Sequence, residues 1–129
     1  MPAGGCLCGE IRYEADGPLL SSAVCHCRLC QKAHAAPMVG FFTVKRDGFR
    51  MTGEPSSYAS SEHGTRRFCG RCGTQVFFED ARYPDEIDIA TATLDDPGAA
   101  PPTKHIWTMS QVPWVKLGDG LPAFPERSV

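Results

Sequence analysis

The stretch "CHCRLC" at residues 25–30 sets Cys25, Cys27 and Cys30 within six positions, a density of thiols suited to gripping a metal ion. A disulfide uses two cysteines and a closed tetrahedral zinc shell uses four, so a group of three leaves one coordination position open to water or substrate. Four further cysteines fall into two pairs, Cys6 and Cys8 in "GGCLCGE" and Cys69 and Cys72 in "FCGRCGT". The second pair, C-x-x-C flanked by Gly70 and Gly73, has the form of a zinc knuckle, which supplies two ligands and needs two more. Cys6 and Cys8 are the natural complement: on a regular strand they share a face, with Leu7 opposite. The seven cysteines thus sort into a structural four and an open, candidate catalytic three.

A structural zinc is worth about 10–16 kcal/mol to a small metal-dependent domain, against about 5–15 kcal/mol of net stability for a typical domain, so loss of the four-thiolate metal is expected to unfold the chain. For "CHCRLC" two other readings stay open. One cysteine packs as a small hydrophobe while the others complete a second structural site with a histidine, for which His26, His34, His63 and His105 are available; or the cysteines form disulfides or a redox pair.

The elements that must position these groups are mostly short strands. "EIRYEA" alternates Ile11, Tyr13 and Ala15 against Arg12 and Glu14, and "DGP" ends it. "MVGFFTV" is rich in β-branched and aromatic residues, with Met38, Phe41 and Phe42 read as strand core, and "RDGF" at 46–49 reads as a hairpin turn into "FRMTG". "SSYASS" and "TRRF" flank an "EHG" turn, and "TQVFFE" and "EIDIATATL" follow. The only helical stretch runs over 28–35, stopping before Pro37. "DDPGAAPP" is a loop by composition, and residues 118–129 form a Gly/Pro-rich tail. The expectation is one mainly β domain over 1–129, with its core at about 4–117, short antiparallel strands and little helix.

At 129 residues there is room for one domain with a real core. A net charge of −2 argues against nucleic acid as a partner, because such binders carry a basic excess or stripe. No apolar run reaches the length of a membrane span, and the start "MPAGGCLCGE" lacks the pattern of a signal peptide, so the expected location is the cytoplasm. In that reducing compartment clustered cysteines serve metals or catalysis more often than cross-links.

Taken in order, "GGCLCGEIRY", "CHCRLCQKAHAAP", "RFCGRCGTQVFF" and "HIWTMSQVPW" resemble the glutathione-dependent formaldehyde-activating enzyme family, which also includes centromere protein V. The resemblance runs from Gly4 to about Leu117. It implies a β-tent fold related to zinc ribbons and two zinc ions per chain, a structural one on Cys6, Cys8, Cys69 and Cys72 and a catalytic one on Cys25, Cys27 and Cys30. The implied activity joins glutathione and formaldehyde as S-(hydroxymethyl)glutathione and is classed as a carbon–sulfur lyase.

An open three-thiolate zinc suits such chemistry, since a substrate thiol entering the fourth position loses its proton near neutral pH and becomes a nucleophile toward a small aldehyde. Four thiolates on one ion need positive or hydrogen-bonding surroundings, and Arg28 and Lys32 lie beside the site in sequence. Arg66, Arg67, Lys104 and His105 are candidate anchors for the carboxylates of glutathione, with solvated surface charge as the plainer role for each. His26 alternates with its flanking cysteines and is expected to point away from the metal, with a supporting role behind it as the alternative. Trp107 and Trp114 read as core or rim, or as walls of a pocket. Two further functions remain open on these residues: a zinc-stabilised binding module without catalysis, and a thiol-based redox or metal-handling protein.

Overall fold

Side-chain alternation and turn residues divide the chain into ten strands and one helix among the described residues, 2–127, of the computed structural model. The strands are β1 (Ala3–Gly5), β2 (Arg12–Ala15), β3 (Ser21–Cys25), β4 (Val39–Lys45), β5 (Phe49–Thr52), β6 (Ser56–Ala59), β7 (Gly64–Phe68), β8 (Gln75–Asp80), β9 (Glu86–Ala90) and β10 (His105–Ile106). The helix, α1, spans Arg28–His34. The protein is mainly β, as the short alternating runs predict. No helix among the described residues is long and apolar enough to cross a membrane.

The strands form a small sheet in the order β1-β2-β5 and a large one in the order β10-β3-β4-β9-β8-β7-β6. Every pairing is antiparallel except β10 on β3. "RDGF" corrects one expectation. It forms a 3-10 turn at Arg46–Gly48, but the strands on either side do not pair with each other; β4 stays in the large sheet and β5 joins β2 in the small one. The turn is a crossover between layers, and the core fills the gap it spans.

In that core Ile11, Tyr13 and Ala15 of the small sheet meet Phe42, Val44, Ile87 and Ile89 of the large one. Phe42 is 0% exposed. The opposite face of the large sheet carries Ala23, Cys25, Phe41, Thr43, Phe78 and Asp88 into a cavity, so alternation along β4 sends Phe42 to the core and Phe41 to the cavity wall. Met38, expected in the core, is instead an exposed residue just ahead of β4. β3 escapes the reading above because "SSAVC" offers little β-branched or aromatic signal; it becomes a strand by lying between β4 and β10.

Residues 118–129, set apart above as a tail, run along β10 as far as they are described; 128 and 129 lie outside the described residues. The Phe124 amide donates to the His105 carbonyl, and the His105 amide to that of Pro122. "DDPGAAPP" holds a 3-10 turn at Pro97–Ala99, and its Ala100 reaches the core.

Truncating Phe42 removes a ring from a closed apolar site, so Phe42→Ala should lower the unfolding free energy by about 3–5 kcal/mol in urea titration. A loss below about 1 kcal/mol would contradict this placement of the core.

Candidate metal and thiol site

Two turns bring the first four sulfurs together. Cys6 and Cys8 do not lie on a strand as expected. The chain leaves β1 and reverses, with the Gly9 amide donating to the Cys6 carbonyl and the Cys6 amide to that of Ile11. Leu7 is thereby pushed out to 89% exposure. At the other end of the cluster the knuckle turns at Gly73, whose φ of +82° is cheap only for glycine and whose amide bonds the Cys69 carbonyl.

Across the cluster, the Cys6 and Cys8 sulfurs are 3.7 Å apart, as are those of Cys8 and Cys69. All four sulfurs lie within 4.8 Å of one another. Zinc–sulfur bonds of ~2.3 Å in a tetrahedron put ligand sulfurs ~3.8 Å apart, so the spacing fits a closed shell. Backbone amides already point at two of the sulfurs, Ile11 at Cys6 and Cys72 at Cys69. Thr74 hydrogen-bonds Cys72 and draws its thiol down to about 5, which favours the thiolate that a metal needs.

Cys25 ends β3, Cys27 is the N-cap of α1 and Cys30 lies one turn into it. The Cys27 sulfur accepts the Cys30 amide at 3.3 Å, the capping task that an Asp or Ser oxygen often performs. The helix stops at Ala35, which takes a left-handed conformation, φ 50°, just before Pro37. These three sulfurs also lie within 4.8 Å of one another, and no histidine or carboxylate completes the group among the described residues. Hydrogen bonds from Cys25 and then Cys30 hold the Cys27 thiol well below the ordinary range, while those with Cys27 and then Cys30 push Cys25 up. Each cluster could hold a metal ion. All seven cysteines are free thiols.

The three-cysteine group opens on a cavity of about 500 Å³. Phe41, Phe78 and Trp107 supply apolar wall, while Arg66, Asp88, the Arg82–Asp80 ion pair and Arg127, which lies over the Tyr83 ring, supply charge. Asp88 takes a hydrogen bond from the Thr43 hydroxyl at 2.5 Å, and burial pushes its carboxyl up. Arg66 projects from β7 toward Cys30, with 3.6 Å from guanidinium to sulfur, and is only 5% exposed. It packs over the Phe78 ring at 5.0 Å.

The structure separates the other residues singled out in the sequence. Arg28 is exposed and hydrogen-bonds Gln31, and Lys32 is exposed, so neither neighbour in sequence is the cation nearest the thiols; Arg66, 36 positions from Cys30, is. No local pattern could have shown that proximity. Arg67 pairs with Glu79 at 2.7 Å rather than lining the cavity. Lys104 borders a smaller adjoining pocket beside Asp88. His63 is exposed near Glu62. Trp107 lines the cavity with φ 58°, whereas Trp114 is 71% exposed and belongs to neither core nor rim.

His26 is 0% exposed and its ring joins a hydrogen-bonded chain that runs out to exposed Asp119 instead of either cluster. His26 Nε2 lies 2.9 Å from His105 Nδ1, and His105 Nε2 lies 2.7 Å from Asp119. That chain ties the start of the cysteine helix to β10 and to the segment after it. Burial pushes the His26 pKa down, and the His105 hydrogen bond pulls the Asp119 carboxyl down. His26 Nδ1 is buried without a partner, and among the described residues no histidine lies with either group of sulfurs.

A mainly β protein with one cluster of four cysteines and one of three is the class that fold and site define. Residues 1–110 match the profile of the glutathione-dependent formaldehyde-activating enzyme family, and the chain belongs to that family. A Schizosaccharomyces pombe protein named as an uncharacterized lyase is 34% identical over 77 residues, 58% of this chain and 55% of its own. The chain thus matches little more than half the length of that relative. A Halomonas elongata protein assigned by name to the same family is 22% identical over 135 residues, covering 88% of this chain and 79% of its own. In three dimensions the chain resembles a Rhodobacter sphaeroides protein of known crystal structure, with a TM-score of 0.60 at 18% identity over 95% of this chain and 98% of that one. That likeness is one of fold.

His34 gives the region a pH signature. Burial, and then the nearby Arg66 cation, hold its pKa down to about 4 from the ordinary 6.5. Between those values the unfolded chain takes up a proton that the folded chain refuses, so stability is full above pH 6.5 and falls as pH drops toward 4. At equal metal loading, His34→Gln should show a shallower loss of denaturation midpoint across that window than the parent protein. Identical pH dependence in the two would contradict the assignment.

Proposed function

We propose that the protein is a zinc enzyme that joins a low-molecular-weight thiol, glutathione or a close relative, to a small aldehyde such as formaldehyde, in the manner of a carbon–sulfur lyase. The observation that carries this reading is the three-sulfur group, which has no fourth donor among the described residues and opens on the cavity. Family membership and the lyase name of a relative support the reaction class.

In this reading Cys6, Cys8, Cys69 and Cys72 hold a structural zinc, and Cys25, Cys27 and Cys30 hold a second. When bound, the second zinc supplies a Lewis acid that keeps an incoming thiol ionised near neutral pH. The chain's own residues do the rest. Cys25, Cys27 and Cys30 fix the site at the mouth of α1, and the walls formed by Phe41, Phe78 and Trp107 limit water. The reaction is an addition across the carbonyl: a carbon–sulfur bond forms, the carbonyl π pair moves to oxygen, and the proton given up by the thiol is restored from solvent to that oxygen. Seven free thiols suit a reducing compartment, consistent with action in the cytoplasm.

Native mass spectrometry of zinc-loaded protein should show two zinc ions per chain, and the protein should form S-(hydroxymethyl)glutathione from glutathione and formaldehyde faster than the spontaneous reaction. Cys27→Ser should retain one zinc and fall to the spontaneous rate. Two zinc ions with no acceleration would remove the formaldehyde reaction, and undiminished activity in Cys27→Ser would remove the site.

A further inference from the structure

We infer that Arg66 is the charge-balancing residue of the Cys25–Cys27–Cys30 centre, acting through the thiolates rather than on the substrate; this rests on the reading that the centre holds a divalent metal. The argument begins from what Arg66 lacks. A guanidinium does not give up its proton inside a protein, so this side chain carries a full positive charge at 5% exposure. Among the described residues no carboxylate lies within ion-pair distance of it. The nearby acids are engaged elsewhere: Glu79 with Arg67 and Arg46, Asp80 with Arg82, and Asp88 with the Thr43 hydroxyl. Its Nε–H is buried without a partner.

An isolated charge held out of water is strongly unfavourable unless an anion accompanies it. The polar group that the guanidinium does reach is Cys30 Sγ at 3.6 Å, and the Phe78 ring beneath it at 5.0 Å offers only a quadrupole. Neutral thiols are poor acceptors and carry no charge, so three protonated cysteines would leave Arg66 uncompensated. Three thiolates around a divalent ion carry a net charge of −1, which the single guanidinium neutralises. The four-cysteine cluster makes a useful contrast. Its net charge would be −2, but Cys8 is exposed and water can serve in place of a buried cation.

The same charge balance bears on the substrate. A fourth thiolate takes the open centre to −2, and Arg66 lines the cavity where that sulfur enters, so its charge leaves a total of −1 to be stabilised instead of −2. Arg66 therefore favours both retention of the metal and entry of an anionic ligand. The other cations are placed differently: Arg28 and Lys32 are exposed to solvent, and of the two further arginines lining the cavity Arg82 pairs with Asp80 and Arg127 lies over Tyr83.

Chelator competition with zinc alone, which resolves the two sites by affinity, tests this without reference to activity. Arg66→Met should weaken zinc at the three-cysteine site by roughly 10–100-fold, the range seen when residues supporting metal ligands are lost, and leave the four-cysteine site unchanged. Arg66→Lys keeps the charge and should recover part of the loss. The four-cysteine site serves as the internal measure that each variant is folded. Unchanged affinity in Arg66→Met, equal weakening at both sites, or no recovery with lysine overturns the inference while leaving the proposed function in place. If the parent protein binds no zinc at the three-cysteine site, both fail.

Discussion

Sulfur spacing imposed by backbone turns is the constraint on which the rest of this structure depends. The turn after β1 and the turn between β7 and β8 belong to different sheets, more than 60 positions apart in the chain, yet their cysteines meet at the separation a tetrahedral metal shell requires. A metal held there would fasten the small sheet to the large one at the edge of the core that Ile11, Phe42 and Ile89 fill. Close backbone approach shapes the same corner. Gly53, at φ +90°, passes so near Glu10 that a Cβ would sit 2.3 Å from its carbonyl oxygen, which fixes β5 against the end of the cysteine turn.

The second cluster reaches the same spacing by a different route. Its sulfurs come from one short segment, where a strand end, a helix cap and the first helical turn fall in sequence, so it needs no distant chain to assemble. What comes from a distance is the setting: Arg66 from β7, Phe78 from β8, Trp107 from beyond β10. Behind it the His26–His105–Asp119 chain secures the segment from the side away from the cavity. Among the described residues no histidine joins the three sulfurs, and His26 is turned so that its Nε2 meets His105.

Much of this was legible in the amino-acid order, and the reason is local. Cysteine spacing and flanking glycines carry the partition into four and three, and alternation at Ile11, Tyr13 and Ala15 carries the core face of β2. What escaped depends on tertiary pairing. β3 is a strand because of its neighbours rather than its composition. The 3-10 turn at Arg46–Gly48 looks like a hairpin until the sheets are known, since a turn signal does not say which strands will pair. Arg66 resembles Arg67 in sequence, and only the pleat separates the residue that reaches Cys30 from the one that pairs with Glu79. Trp114 shows the converse: an aromatic residue among apolar neighbours can still lie in solvent.

The central claim is that one cluster is saturated by the chain's own sulfurs and the other is not. X-ray absorption at the zinc edge counts sulfurs directly. For protein loaded with two zinc ions the account predicts an average first shell of about 3.5 sulfurs with a lighter atom making up the remainder, rising to about four when glutathione is added. A shell of four sulfurs before any thiol is present, or one that glutathione leaves unchanged, would contradict it.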